Sequence, residues 1–202
     1  MVDKTRQEVP TRPLGIEVID GNMIVRFTRP EVRNPLSVDV LDQLETLIEE
    51  IPEDLDRVVF TGVDDVFASG ADLREIAAVG PAEARGFAAR GQQLMEKVAD
   101  LRQTTLAAIN GYCFGGALDL ALACDRRIAS PNARFAHPGA GLGIITGWGG
   151  TQRLPRLVGT ANALEIFFTA SPIDAVRASE IGLIDEIAVE PLTRAMDVDI
   201  AL

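Results

Sequence analysis

Cysteine, histidine, tryptophan and tyrosine are scarce in this 202-residue chain, with two, one, one and one copies respectively. Cys113 and Cys124 lie in apolar stretches and read as buried thiols rather than as a disulfide. One histidine and two cysteines at such spacing argue against a structural zinc site. No apolar run reaches the ~20 residues that a membrane helix needs. A P-loop and a GxGxxG turn are both missing, which removes the usual nucleotide cradles. Basic surplus is missing too. The net charge is −11, and binding a nucleic-acid backbone requires a basic surface. A small anionic ligand is still compatible, because backbone amides at helix N-termini hold anions locally whatever the total charge. The opening MVDKTRQEVPTRP is polar, carries both charge signs and lacks a signal-peptide core, so residues 1–13 read as a flexible tail and the cytoplasm as the location.

What is present fits a globular domain. Hydrophobic residues make up 47% and charged residues 24%, and the length suffices for one sizeable core. GIEVID (Gly15–Asp20) and MIVRFT (Met23–Thr28) alternate in period two around Gly21-Asn22, a β-hairpin signature. Ser37 is placed to cap a helix carrying Leu41, Leu44, Leu47, Ile48 and Ile51 at helical spacing. RVVFTG (Arg57–Gly62) and TLAAIN (Thr105–Asn110) are short buried strands. RRIAS, RFAHP and LIDEIAV (Leu183–Val189) follow as further strands. Helices are expected from Ala71 to Val79, over the long stretch after Pro81, from about Gly116 to Cys124, and in TQRLPRLVG, ANALEIFFTA and DAVRASEIG. Strands and helices alternate throughout, so the fold class is α/β.

Two segments carry chemistry. In Phe67-Ala-Ser-Gly-Ala-Asp-Leu73, Gly70 permits a tight backbone path that leaves the N–H of Ala71 free at a helix entrance. Asp72 in the first turn suits the positive end of the helix dipole. In Ile109-Asn-Gly-Tyr-Cys-Phe-Gly-Gly-Ala-Leu-Asp119, a strand ends and Gly115-Gly116 open an apolar helix, so a ligand can approach the unpaired amide of Gly116. Asp119 lies three residues on, on the same helix face. Among Leu118, Leu120, Ala121 and Leu122 it is either a structural hydrogen-bonding group or a site residue with a shifted pKa. Two helix-entrance amides after two strands are the parts of an oxyanion hole.

SGADL, AAINGYCFGGALDLALACD and GWGGTQRLPRLVG, in this order and spacing, resemble the crotonase superfamily, the enoyl-CoA hydratase/isomerase family, from about Gly15 to Val189. The resemblance implies a crotonase-like spiral of repeated ββα units occupying residues 14–190. It implies an acyl-CoA thioester as partner and substrate, with coenzyme A entering as part of the substrate and no separate cofactor, and a homotrimer or hexamer. Ala71 and Gly116 match the family's oxyanion-hole positions. Acyl-CoA-binding segments match Val32, Arg33 and Leu36 in one loop and Ala68, Ser69, Gly70, Asp72 and Leu73 in the other.

The family's hydratases use two glutamates. Asp119 aligns with the first and Gly139 with the second, so hydration by that route is put in doubt, while moving a double bond needs only one carboxylate. Decarboxylation, thioester hydrolysis or a silent acyl-CoA-binding subunit are the alternatives on the same fold. Asp119, His137 and the hydroxyls of Tyr112 and Thr146 remain near the implied site, with Gly115 and Pro138 beside them. His137 either titrates as an acid or base or packs beside Pro138 at a strand end. Trp148 either lines the acyl pocket or anchors the core. Arg29 and Arg33 flank the first ligand loop, where they either meet phosphate groups or do nothing specific. After Glu190 only PLTRAMDVDIAL follows, a short tail (191–202) where the family continues with pocket-closing helices.

Overall fold

Asp20 and Gly21 both take positive φ, 48° and 76°, which is the two-residue turn that matches the twist of a hairpin. Strand β1 (Leu14–Ile19) therefore folds back on β2 (Asn22–Phe27), in register from Leu14–Phe27 to Ile19–Asn22. The turn falls one residue earlier than Gly21-Asn22. Asn22 instead starts β2, and its buried amide donates 3.0 Å bonds to the carbonyls of Ile19 and Asp20. The structure, a computed structural model, describes residues 12–198. Of the expected N-terminal tail, only Arg12 and Pro13 fall inside that range.

From there the chain repeats one unit. Each turn lays a strand in a large sheet, adds a short strand to a smaller one, and returns through a helix. The first turn ends in β3 (Pro35–Leu36) and α1 (Val38–Glu49). The second runs through β4 (Arg57–Thr61), β5 (Val66–Ala68), β6 (Gly70–Ala71), α2 (Leu73–Ala78) and α3 (Ala84–Ala99). The third holds β7 (Thr104–Ile109), β8 (Tyr112–Phe114) and α4 (Gly116–Ala123). The fourth holds β9 (Arg126–Ala129), β10 (Arg134–Ala136), a 3-10 turn over Pro138–Leu142, α5 (Gly150–Val158) and α6 (Thr160–Thr169). β11 (Ile173–Asp174), α7 (Ala175–Glu180), β12 (Glu186–Ile187) and α8 (Pro191–Asp197) complete the described residues. The large sheet has the order β1-β2-β4-β7-β9-β12, the smaller one β11-β10-β8-β5, and β3 pairs with β6 alone. This is the expected α/β spiral of ββα units.

Strands β4 and β7 are parallel and buried on both faces, which is why VVF and LAAI read as unbroken apolar runs. One face packs Val58, Phe60, Ala107 and Ile109 against the helices. The other face, Val59, Leu106, Ala108 and Ile128, is covered by Ala195 and Val198. The segment after Glu190 is thus not a tail within the described range: it forms α8 and closes the back of the large sheet. Arg57 at the start of β4 donates to the carbonyls of Met196 and Val198 and fastens it there.

The last strand is shorter than Leu183–Val189 because Leu183 and Ile184 turn inward and are buried. Arg127 holds that turn, its Nε donating to the Leu183 carbonyl at 2.9 Å. Among the described residues no helix is long and apolar enough to cross a membrane. Cys113 and Cys124 are free buried thiols, and burial pushes both pKa values up.

Candidate active site

The loop 29–36 is tied down by Asn34, whose buried amide donates to the carbonyls of Val66 and Phe67 at 3.1 Å each. Its own oxygen accepts the N–H of Arg29 at 2.6 Å. That places β3 beside β6, with Pro35 opposite Gly70 and Leu36 opposite Ala71. Gly70 has φ +86°, and a Cβ there would lie 2.6 Å from the nitrogen of Gly116 and 2.7 Å from the carbonyl oxygen of Phe114. From the other side, a Cβ on Gly116 would lie 3.4 Å from the nitrogen of Ala71. The two glycine turns meet, and both Ala71 and Gly116 line one cavity of about 340 Å³.

Ala71 is not a helix-entrance residue. It ends strand β6, and α2 begins only at Leu73. Asp72 is the N-cap between them, its carboxylate accepting the Arg74 N–H at 2.8 Å. Ala71 pairs with Leu36 in the β3–β6 ladder rather than opening a helix. Gly116 does open a helix as expected, after Gly115 takes φ 55° and donates to the Ala136 carbonyl at 2.8 Å. As the first residue of α4 its N–H has no intrahelical acceptor.

Asp119 projects from α4 into the same cavity and is 0% exposed. Its Oδ2 accepts the hydroxyl of Thr146, while Oδ1 has no hydrogen-bond partner. Burial pushes its pKa up to about 7, against the lowering pull of Thr146, the backbone amides of Trp148 and Gly150, and the charge of Arg153. At neutral pH this carboxyl is divided between its two protonation states. His137, 3% exposed, faces it across the cavity with Nε2 at 3.6 Å from Oδ1. Both ring nitrogens lack partners, and burial holds the imidazole neutral by lowering its pKa to about 4.

Trp148 satisfies both readings of the sequence at once. It is 4% exposed and tilted against Phe87, with ring centroids 6.0 Å apart, and it also walls the cavity. A Cβ on Gly116 would meet its ring at 2.5 Å, so the glycine makes room for the indole as well as for a ligand. Gly139 lines the cavity without a side chain, and a Cβ there would come 2.6 Å from the carbonyl oxygen of Ile144.

Ser69, Leu73, Gly115 and Pro138 join this lining. Val32, Arg33, Leu36, Ala68, Gly70, Asp72 and Tyr112 do not. Leu36 and Ala68 are fully buried in the core and act as backbone supports. The ring of Tyr112 packs edge-on to Phe114 and under the guanidinium of Arg33. Arg29 pairs with Asp39 at 3.3 Å. Sequence reasoning missed Ile76, Phe87, Ile144 and Ile145, which belong to the apolar wall. No local pattern marks them, because they come from two helices and a loop that only the spiral brings together.

A family model described as enoyl-CoA hydratase/isomerase matches residues 19–197. The chain belongs to the enoyl-CoA hydratase/isomerase family. It is 41% identical over 171 residues to the short-chain-enoyl-CoA hydratase of Clostridium acetobutylicum, a match covering 83% of this chain and 65% of that protein. Against the crotonyl-CoA hydratase of Syntrophomonas wolfei it is 38% identical over 167 residues, covering 81% of this chain and 64% of the relative. The chain therefore spans a little under two thirds of the length of these curated relatives. Among solved structures, the enoyl-CoA hydratase of Bacillus anthracis superposes with a TM-score of 0.87 at 34% identity, over 92% of this chain and 74% of that one. DspI of Pseudomonas aeruginosa gives 0.86 at 35% identity, over 96% and 80%.

Proposed function

We propose that this chain is an acyl-CoA-binding enzyme of the enoyl-CoA hydratase/isomerase type that stabilises a thioester enolate. One observation carries the reading: Ala71, Gly116 and Asp119 line a single cavity whose remaining wall is largely apolar. The thioester carbonyl would lie against the amides of Ala71 and Gly116, which stabilise charge on its oxygen as the enolate forms. Asp119 would take and return a proton, for which a pKa of about 7 is well matched to neutral pH. The apolar wall of Ile76, Phe87, Ile144 and Trp148 excludes water and suits an uncharged acyl chain.

Hydration needs one group to activate water and another to protonate Cα, and among the carboxylates of the described residues only Asp119 lines the cavity. Moving a double bond along the acyl chain needs a proton carried between carbons, so isomerisation suits these residues better. The test is Asp119→Asn, assayed on crotonyl-, 3-enoyl-, malonyl- and 3-hydroxyacyl-CoA. Turnover of the 3-enoyl thioester is expected to fall by at least about a hundredfold while acyl-CoA affinity is kept. Undiminished turnover removes Asp119 from the mechanism, and preference for the malonyl thioester would make this a decarboxylase instead.

The same reading carries a cytoplasmic location and a homotrimer or hexamer. Leu157, Leu164 and Phe168 on α5 and α6 are exposed apolar side chains of the kind a subunit contact covers. Light scattering after size exclusion tests the assembly, and a monodisperse monomer would overturn it.

A further inference from the structure

Two buried polar atoms that face each other without partners are rare, because a desolvated group left unpaired is costly. His137 Nε2 and Asp119 Oδ1 are such a couple, at 3.6 Å. Both side chains line the cavity where the proposed chemistry occurs. The Thr146 hydroxyl and the backbone amides of Trp148 and Gly150 also draw on the Asp119 carboxyl, whereas neither ring nitrogen of His137 has a partner. Phe167 of α6 tilts against the imidazole with ring centroids 5.1 Å apart. The other titratable or charged groups near the couple are the Cys113 thiol, which burial keeps protonated, and Arg153, whose charge reaches Asp119 from α5.

We propose that His137 and Asp119 act as one proton-holding pair, with His137 Nε2 supplying the second proton-transfer group of the site. The proposal rests on the acyl-CoA reading above and adds a residue to it. With a single proton between them, one member is a base and the other an acid. The base removes a proton from Cα of a bound 3-enoyl thioester, and the C–H electron pair passes into the dienolate held by the amides of Ala71 and Gly116. The acid then gives its own proton to Cγ, where a new C–H bond forms as the dienolate collapses to the 2-enoyl thioester. The pair holds one proton before and after, on the opposite member, and transfer across the Oδ1–Nε2 gap together with exchange against solvent between turnovers resets it. No oxidant, metal or co-reactant enters this balance.

His137 is the only histidine, so nitrogen-15 NMR reads its imidazole without assignment and without turnover. In the wild-type protein its resonances are expected to step near pH 7 as Asp119 ionises, and again near pH 4 as the ring takes a proton. The step near neutrality should vanish in Asp119→Asn. A single step unaffected by Asp119→Asn overturns the pairing whatever the activity. Coupled steps in a protein inactive on the whole thioester panel overturn the proposed reaction instead.

The catalytic arm uses a 3-enoyl-CoA in deuterium oxide. A pair delivers a solvent deuteron to Cγ in each turnover, whereas Asp119 shuttling alone returns the substrate's own hydrogen. His137→Gln is expected to lower kcat about a hundredfold with KM held within about threefold, and to restore retention of the substrate hydrogen in the residual activity. Retention in the wild type, or an unchanged kcat in the variant, overturns the role of His137.

Discussion

A side chain at Gly70 would put its Cβ 2.6 Å from the backbone nitrogen of Gly116. That closeness holds the two candidate oxyanion amides on one wall, and it leaves no room for a substituent. Gly70→Ala meets both this contact and the left-handed backbone, which alone costs about 1 kcal/mol for a residue with a Cβ. We expect a lower melting temperature and a loss of turnover of at least about a hundredfold, as for removal of an oxyanion donor. Gly86→Ala is the matched control. Gly86 is exposed in α3 with nothing near its missing Cβ, so thermal melts should show a gain of about 0.5–1 kcal/mol.

Thr146 donates its hydroxyl to Asp119, and this bond lowers the pKa of the carboxyl. Thr146→Val keeps the shape and removes the donor. The ionisation near pH 7 should move up by about half a unit to one unit, the equivalent of one hydrogen bond. Infrared titration of the protonated carboxyl band checks the direction. A downward move would mean that Thr146 does not hold the carboxylate form.

The pair also leaves a mark on stability. Folded His137 stays neutral down to about pH 4, whereas an exposed histidine takes its proton near 6.5. Between those values the unfolded chain binds more protons, so this group makes the protein less stable as pH falls. Folded Asp119 holds its proton up to about pH 7, against 3.8 for an exposed carboxyl, so it makes the protein less stable as pH rises through that window. His137→Gln keeps only the second effect. Relative to wild type it should gain roughly 3 kcal/mol on acidification from pH 6.5 to 4. Urea melts at several pH values measure this, and parallel curves for the two proteins would contradict it.

Position 139 is closed to a side chain by the Ile144 carbonyl, 2.6 Å from where a Cβ would stand. Gly139→Glu should therefore shift the loop over residues 139–147 and cost about 1–3 kcal/mol, rather than switch on hydration. Crotonyl-CoA turnover and thermal melting together check this. A stable variant with a large gain in hydration would show that the loop yields easily.

The pattern of the chain alone was enough for the alternation of strands and helices, the hairpin, the apolar runs of β4 and β7, the helix opening at Gly116 and the burial of Asp119's neighbours. These are local signals, because strand burial and helix starts are written in consecutive residues. The elements that went astray depend on partners far away in sequence. Ala71 reads as a helix start until Leu36 pairs beside it and makes it a strand. Residues 191–197 read as a tail until the bare back of the large sheet gives Leu192 and Ala195 an apolar surface to cover.

The family, the ββα rhythm and the residues at the two glycine turns are all legible in the order of the amino acids. That those turns touch, that Ile144 and Phe87 wall the cavity, and that His137 Nε2 stands 3.6 Å from Asp119 Oδ1 follow from three-dimensional packing alone. The reason is that distance through space between segments far apart in the chain is set by how the spiral closes, and the pKa values of buried groups follow from that closure rather than from their neighbours along the chain.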